Sequence, residues 1–275
     1  MNITSIFRLL SYAFVQRALI VGLLIAVSSS FLGIFLVLRK YSMIGDGLAH
    51  VSFATVALAL VLNQSPLIIS IPMVSLASLL ILKLSEENRI GGDAAIGLIA
   101  STSLAIGVFI TSVSTGFSVD LNSYLFGSIL IIAQSDVYLS LVLTVLIVTL
   151  VLVFYRDLFA MTYDLDYAKV SGRKTKRLNQ LLSILTAITI VLGIRVVGTL
   201  LISSLIIFPT VSALRLSKGF KATIIWAVVI AIFSVMSGIL ISVTLDFPTG
   251  SSIVLINALL FGVISLSRTL KGANT

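Results

Sequence analysis

The stretch RALIVGLLIAVSSSFLGIFLVLRKYSMIGDGLAHVSFATVALAL, Arg17 to Leu60, decides the fold. From Ala18 to Leu38 no side chain is ionisable. At 1.5 Å rise per residue, a helix of that length crosses about 30 Å of hydrocarbon. It is also longer than the roughly 7–15 residue core of a signal peptide, so it reads as an uncleaved span. Arg39 and Lys40 end the run, and a second apolar run, 44–62, follows. That second run carries Asp46 and His50, the chain's single histidine.

The same pattern fills the chain. Apolar runs cover 18–38, 44–62, 66–83, 94–114, 136–155, 178–194, 197–214, 222–243 and 250–267. Lipid offers no partner to a strand edge, so open-ended spans must be helical. The expectation is an all-α polytopic membrane bundle of about nine spans, eight being possible, forming one transmembrane domain over residues 1–275. A shorter apolar piece, Leu121 to Ala133, reads as a re-entrant or interfacial helix. Residues 3–17 look amphipathic and suit the interface.

Composition agrees. Of 275 residues, 59% are hydrophobic and 10% are charged. A soluble domain carries roughly 25% charged residues. Disordered, nucleic-acid-binding and disulfide-scaffold classes are excluded. There is no cysteine, so thiolate nucleophiles and thiolate metal ligands are absent too.

Charge placement sets the orientation. With nine spans and the C-terminus inside, the inner loops and tail hold Arg39, Lys40, Lys83, Arg89, six basic residues between 156 and 178, Arg215, Lys218, Lys221, Arg268 and Lys271. Only Arg8, Arg17 and Arg195 fall outside, which satisfies the positive-inside rule. The N-terminus is then outside. The longest inner loop, about 156–178, reads RDLFAMTYDLDYAKVSGRKTKRLN through Asn179. It predicts a short helix over Tyr167–Ser171, broken by Gly172 and flanked by charge. Such an element suits docking to a soluble partner, and an ordinary solvated loop is the plainer reading.

Ionisable residues within spans are costly and mark function. Asp46 and His50 stand four residues apart, so their side chains share one helix face. Carboxylate oxygen with imidazole nitrogen suits Zn²⁺ or Mn²⁺. A capping aspartate beside a hydrogen-bonded histidine is the structural alternative. Arg195 reads as a snorkelling side chain, and Asp93, Asp120, Asp136 and Asp246 as span-end residues. Pro209 is expected to kink the run 197–214. Gly22, Ser28–Ser30 and Gly33 permit close helix packing. No G-x-x-x-x-G-K-[ST] sequence occurs, so any ATPase must be a separate chain. No catalytic residues and no resident cofactor are expected.

The opening stretch resembles the metal-uptake permeases of ABC importers, the zinc, manganese and iron group. SYLFGSIL (Ser123–Leu130), DYAKVSGRKTKRLN and RVVGTLLISSLIIFPTVSALRLSKGF resemble the same family. MIGDGLAHVSF is most similar to zinc-uptake permeases of Gram-positive bacteria. The resemblance implies a fold related to the vitamin B12 and siderophore importers, shortened by one N-terminal span. It implies a homodimer in a bacterial plasma membrane, two cytoplasmic ATPase subunits and an extracytoplasmic metal-binding protein. The cargo would be Zn²⁺, with Mn²⁺ or iron as alternatives. Asp46 and His50 match the metal-path residues. Asp166, Ala168 and Gly172 match the ATPase-coupling motif, with Asp166 standing where the family has Glu. A two-fold dimer would bring two Asp46 and two His50 to its axis, with Gly45, Gly47 and Ala49 letting the paired spans approach. An ion-coupled secondary transporter is the rival class. It calls for internal repeats and mid-span carboxylates beyond Asp46, and neither is evident.

Overall fold

The computed structural model describes residues 11–87, 91–113, 127–128, 132–199 and 202–272. Every regular element among them is helical: α1 (Ala13–Leu38), α2 (Ile44–Val61), α3 (Pro66–Glu87), α4 (Gly92–Val113), α5 (Gln134–Val153), α6 (Tyr155–Tyr163), α7 (Leu165–Val170), α8 (Thr175–Val197), α9 (Ile202–Leu216), α10 (Phe220–Leu245) and α11 (Thr249–Gly272). Eight of these, α1–α5, α8, α10 and α11, are long and apolar enough to cross a membrane.

The ninth expected span is α9, and it is short. Its 15 residues cover about 22 Å. Gly198, at φ +88°, turns the chain back at the end of α8. Ile202 then starts α9 beside Gly193, where an added Cβ would lie 2.5 Å from the Ile202 side chain. The helix therefore starts about a turn inside the end of α8 and needs fewer residues to reach the other end. There the Leu216 carbonyl accepts a hydrogen bond from Arg268 at 2.7 Å. Among the described residues, nine helices thus run between the two ends of the bundle, eight of them long enough to span a membrane by themselves. Residues 121–126 and 129–131 of the expected short element, and residues 3–10 of the amphipathic segment, lie outside the described residues.

The helix α1 forms the hub, packing on α5, α8, α9 and α10. Its small residues make that possible, as the sequence predicts. A Cβ at Gly33 would lie 2.7 Å from the Ile206 carbonyl oxygen of α9, and one at Gly22 would lie 2.9 Å from Val235 of α10. Ser28 and Thr144 of α5 share a hydrogen bond at 2.9 Å, and Ser30 donates to Ala26 and Ala227 carbonyls. Polar side chains in a dry interior are satisfied this way. Large apolar side chains such as Phe109, Val142 and Leu259 face outward, the inverse of a soluble protein, because lipid is the solvent.

The two ends differ. At one, the Phe220 ring of α10 packs tilted or edge-on against Phe35, Tyr155 and Phe159, with centroids 5.2–5.8 Å apart. Arg39 donates to Asn179 here, and α6 and α7 lie at this end. At the other end, Arg17 donates to the Ile132 carbonyl at 3.3 Å, and Arg195 of α8 pairs with Asp136 of α5. The start of α1 and the finish of α11 are at opposite ends.

Candidate functional site

Asp46 and His50 fall in the first two turns of α2, and their Oδ2 and Nε2 atoms are 3.8 Å apart. The i, i+4 spacing places them one above the other, as the sequence predicts. Both remain partly exposed, with side-chain accessibilities of 39% and 24%. Met43 is the N-cap residue and makes no side-chain cap bond. Asp46 is in the first turn, which sets its carboxylate at the positive end of the helix.

The residues flanking Asp46 are packed against other helices. Gly45 packs against Ser203 and Ile206 of α9, and Gly47 packs against Ile96 of α4. Asp46 projects about 100° round α2 from each of these two contacts. Gly45 and Gly47 are thus used in packing within the chain, and Ala49 is fully buried. Ser203 was not legible as a neighbour. Its Oγ is buried without a partner, 2.8 Å from where a Cβ on Gly45 would be.

Among the described residues no group of three or more His, Cys, Asp or Glu side chains could hold a metal. A single chain therefore offers one oxygen and one nitrogen ligand at this place. Asp136 is paired with Arg195, which is not the snorkelling side chain that the sequence suggests.

The segment between α5 and α8 is more ordered than a loop. Beyond the expected short helix it contains α6, and α8 starts at Thr175. Asp164 caps α7 by accepting from the Tyr167 N–H at 2.9 Å, a bond that satisfies one of the helix's free donors. The end of α7 forms a Schellman turn. Gly172 N–H donates to the Lys169 carbonyl at 3.1 Å, Arg173 N–H donates to the Ala168 carbonyl at 3.2 Å, and Gly172 has φ +74°. Arg173 also pairs with Asp157 of α6, tying the turn back to the preceding helix.

The three expected coupling residues sit differently around this turn. Asp166 is almost fully exposed, its carboxylate 3.4 Å from the Lys169 ammonium. Ala168 is fully buried and holds α7 down on the bundle. Gly172 has open space where a Cβ would point. Tyr163, Tyr167 and Val170 are exposed apolar residues that the sequence reading passed over. Burial, and to a lesser extent the neighbouring Tyr163, pushes the Tyr155 phenol above its ordinary range.

This helical pattern has known counterparts. The chain is 32% identical to the high-affinity zinc uptake system membrane protein ZnuB of Haemophilus influenzae, over 91% of this chain and 96% of that one. It is 28% identical to the manganese transport system membrane protein MntC of Halalkalibacterium halodurans, over 100% and 94%. Among solved structures, PsaBC from Streptococcus pneumoniae in complex with Fab matches with a TM-score of 0.84 and 28% identity, over 96% of this chain and 95% of that one. The family suggested by the motifs is also the one whose model matches, the ABC 3 transport family, over residues 11–268. With nearly the whole chain inside that match, and eight apolar helices to span a bilayer, the protein belongs to the ABC 3 transport family and is a multi-pass membrane transport subunit, not itself an enzyme.

Proposed function

We propose that this chain is the permease of an ATP-driven importer of divalent transition metal, with Zn²⁺ as cargo. The observation that carries the reading is the Asp46–His50 pair, one turn apart on α2, 3.8 Å from each other and partly exposed. Two copies of the chain related by a two-fold axis would supply O₂N₂, the tetrahedral set that Zn²⁺ favours. An extracytoplasmic binding protein delivers the ion. A cytoplasmic ATPase dimer drives the change of access through α7 and the Gly172 turn, with Asp166 facing the ATPase and Ala168 anchoring the helix. The end bearing α6 and α7 carries most of the basic residues and is the cytoplasmic one.

The relatives' names include both zinc and manganese, and Mn²⁺ is the second reading. Carboxylate and imidazole serve either ion, with imidazole favouring zinc. The test is initial uptake by the reconstituted complex, with radiolabelled Zn²⁺ and Mn²⁺ in competition. Wild type should take up Zn²⁺ first. His50→Ala and Asp46→Ala should each lose uptake while ATPase assembly and melting stay unchanged. Near-normal uptake by His50→Ala overturns the site, and preferred Mn²⁺ uptake overturns the choice of cargo.

A further inference from the structure

A groove lies at the basic end of the bundle, on a face remote from Asp46 and His50. Its floor is Phe31 of α1, one wall is Val151–Val153 of α5, and the other is Ile224 and Ile225 of α10. The helices α5 and α10 both pack on α1 and leave this space of about 670 Å³ between them. Its rim is charged. Arg156 and Asp157 of α6 line it from one side and Lys221, in the first turn of α10, from the other.

The charges at the rim do not cancel. Asp157 is already neutralised by Arg173. Among the described residues neither Arg156 nor Lys221 has a carboxylate partner, and both side chains are exposed. Lys221 Nζ instead lies 5.5 Å from the centre of the Tyr155 ring, which keeps the ammonium at the groove mouth. The first turn of α10 contains no acidic residue, and its N-cap, Gly219, has no side chain to satisfy the free N–H groups. A helix start of this kind adds to the attraction for an anion.

The groove combines two demands. Its walls want an apolar occupant and its rim wants a negative charge. A soluble anion would leave the walls unfilled, and a zwitterionic lipid would leave net positive charge at the rim. Trp226, the chain's one tryptophan, and Phe154 each adjoin a lining residue in sequence and are exposed, as aromatic side chains at a membrane interface are. The rim is therefore at headgroup depth. Basic pockets between spans on the cytoplasmic side bind anionic headgroups.

We propose that this groove binds one anionic phospholipid of the surrounding bilayer, its phosphate held by Arg156 and Lys221 and an acyl chain lying along Phe31, Leu152 and Ile225. The Asp157–Arg173 pair links the rim to the Gly172 turn, so lipid in the groove braces the helix that carries the coupling segment. The inference rests on the membrane reading of the chain and not on the identity of the transported metal.

The experiment is native mass spectrometry of the permease purified with its ATPase, titrated with phosphatidylglycerol or phosphatidylcholine of matched chains. Wild type is expected to retain phosphatidylglycerol at least fivefold over phosphatidylcholine. Arg156→Gln/Lys221→Gln should lose that preference, while Lys174→Gln, at the same end but outside the groove, should keep it. Melting midpoints without added lipid establish that each variant is folded, and Arg156→Gln alone serves if the double variant is not. Equal retention of the two lipids by wild type, or an undiminished preference in the folded variant, overturns the proposal. A melting shift with inorganic phosphate equal to that with phosphatidylglycerol overturns the acyl-chain part.

Discussion

Arg195 of α8 and Asp136 of α5 form an ion pair in which the aspartate is almost completely buried. The same carboxylate oxygen accepts from the Ala133 N–H at 2.9 Å, so one side chain caps α5 and neutralises α8. The Arg195 carbonyl accepts from the Ser128 N–H at 3.4 Å, and a Cβ on Gly127 would lie 2.4 Å from the Val196 carbonyl oxygen. The pair thus clamps the approach to α5 onto the end of α8. Removing one partner of a buried pair costs about 3–5 kcal/mol. Asp136→Ala is expected to fall in that range, since it strands Arg195 and loses the cap. Asp136→Asn/Arg195→Gln should recover part of the loss. Melting of the detergent-solubilised protein checks this, and an unchanged midpoint for Asp136→Ala would show the pair to be dispensable.

The Schellman turn after α7 separates two effects at one residue. Gly172 is at φ +74°, so any L-residue there is strained by about 1 kcal/mol. Within the chain a larger side chain meets nothing. Gly172→Ala should therefore lower stability slightly and leave coupling nearly intact. Gly172→Trp should keep insertion and ATP hydrolysis but lose uptake, because its extra bulk meets the ATPase. The ratio of ions transported to ATP hydrolysed is the measurement, and a normal ratio for Gly172→Trp removes this turn from the docking surface.

Orientation is checked at two connections. Gln64, between α2 and α3, and Lys218, between α9 and α10, are at opposite ends of the bundle, and both are exposed. A cysteine at Gln64 should react with an impermeant maleimide in intact cells. A cysteine at Lys218 should react only after lysis. Labelling of Lys218→Cys in intact cells would invert the assignment.

The glycine next to the candidate metal residues sets the spacing of α2 and α9. A Cβ at Gly45 would be 2.8 Å from Ser203 Oγ and 3.2 Å from Ser203 Cα. Overpacking of this kind costs roughly 1–3 kcal/mol. Gly45→Ala is expected to melt at lower temperature, and Ser203→Ala in the same chain should return part of the loss by removing the closer contact. Equal melting of wild type and Gly45→Ala would mean that α9 moves aside freely.

The sequence made the spans legible because lipid forces one secondary structure and a minimum length. The Asp46–His50 face was legible because helical spacing alone brings the two together. What it concealed was tertiary. Arg195 and Asp136 are 59 positions apart and share no period. The helix α6 was hidden because Tyr155–Tyr163 mixes charged and aromatic residues as a loop does. The packing of Gly45 and Gly47 depended on which helix takes the space beside a small residue, and spacing does not identify that neighbour. The short α9 was apparent as an apolar run, but its depth followed from the turn at Gly198.

The serines at the centre of α1 have a mechanical consequence. Helices lock when tall branched ridges sink into deep grooves. Over Ser28–Ser30 the ridges of α1 are low, and adhesion to α5 and α10 comes from hydroxyl bonds that can exchange acceptors over a small displacement. A small displacement of α5 or α10 along this part of α1 would then exchange one hydroxyl acceptor for another rather than break a deep interlock.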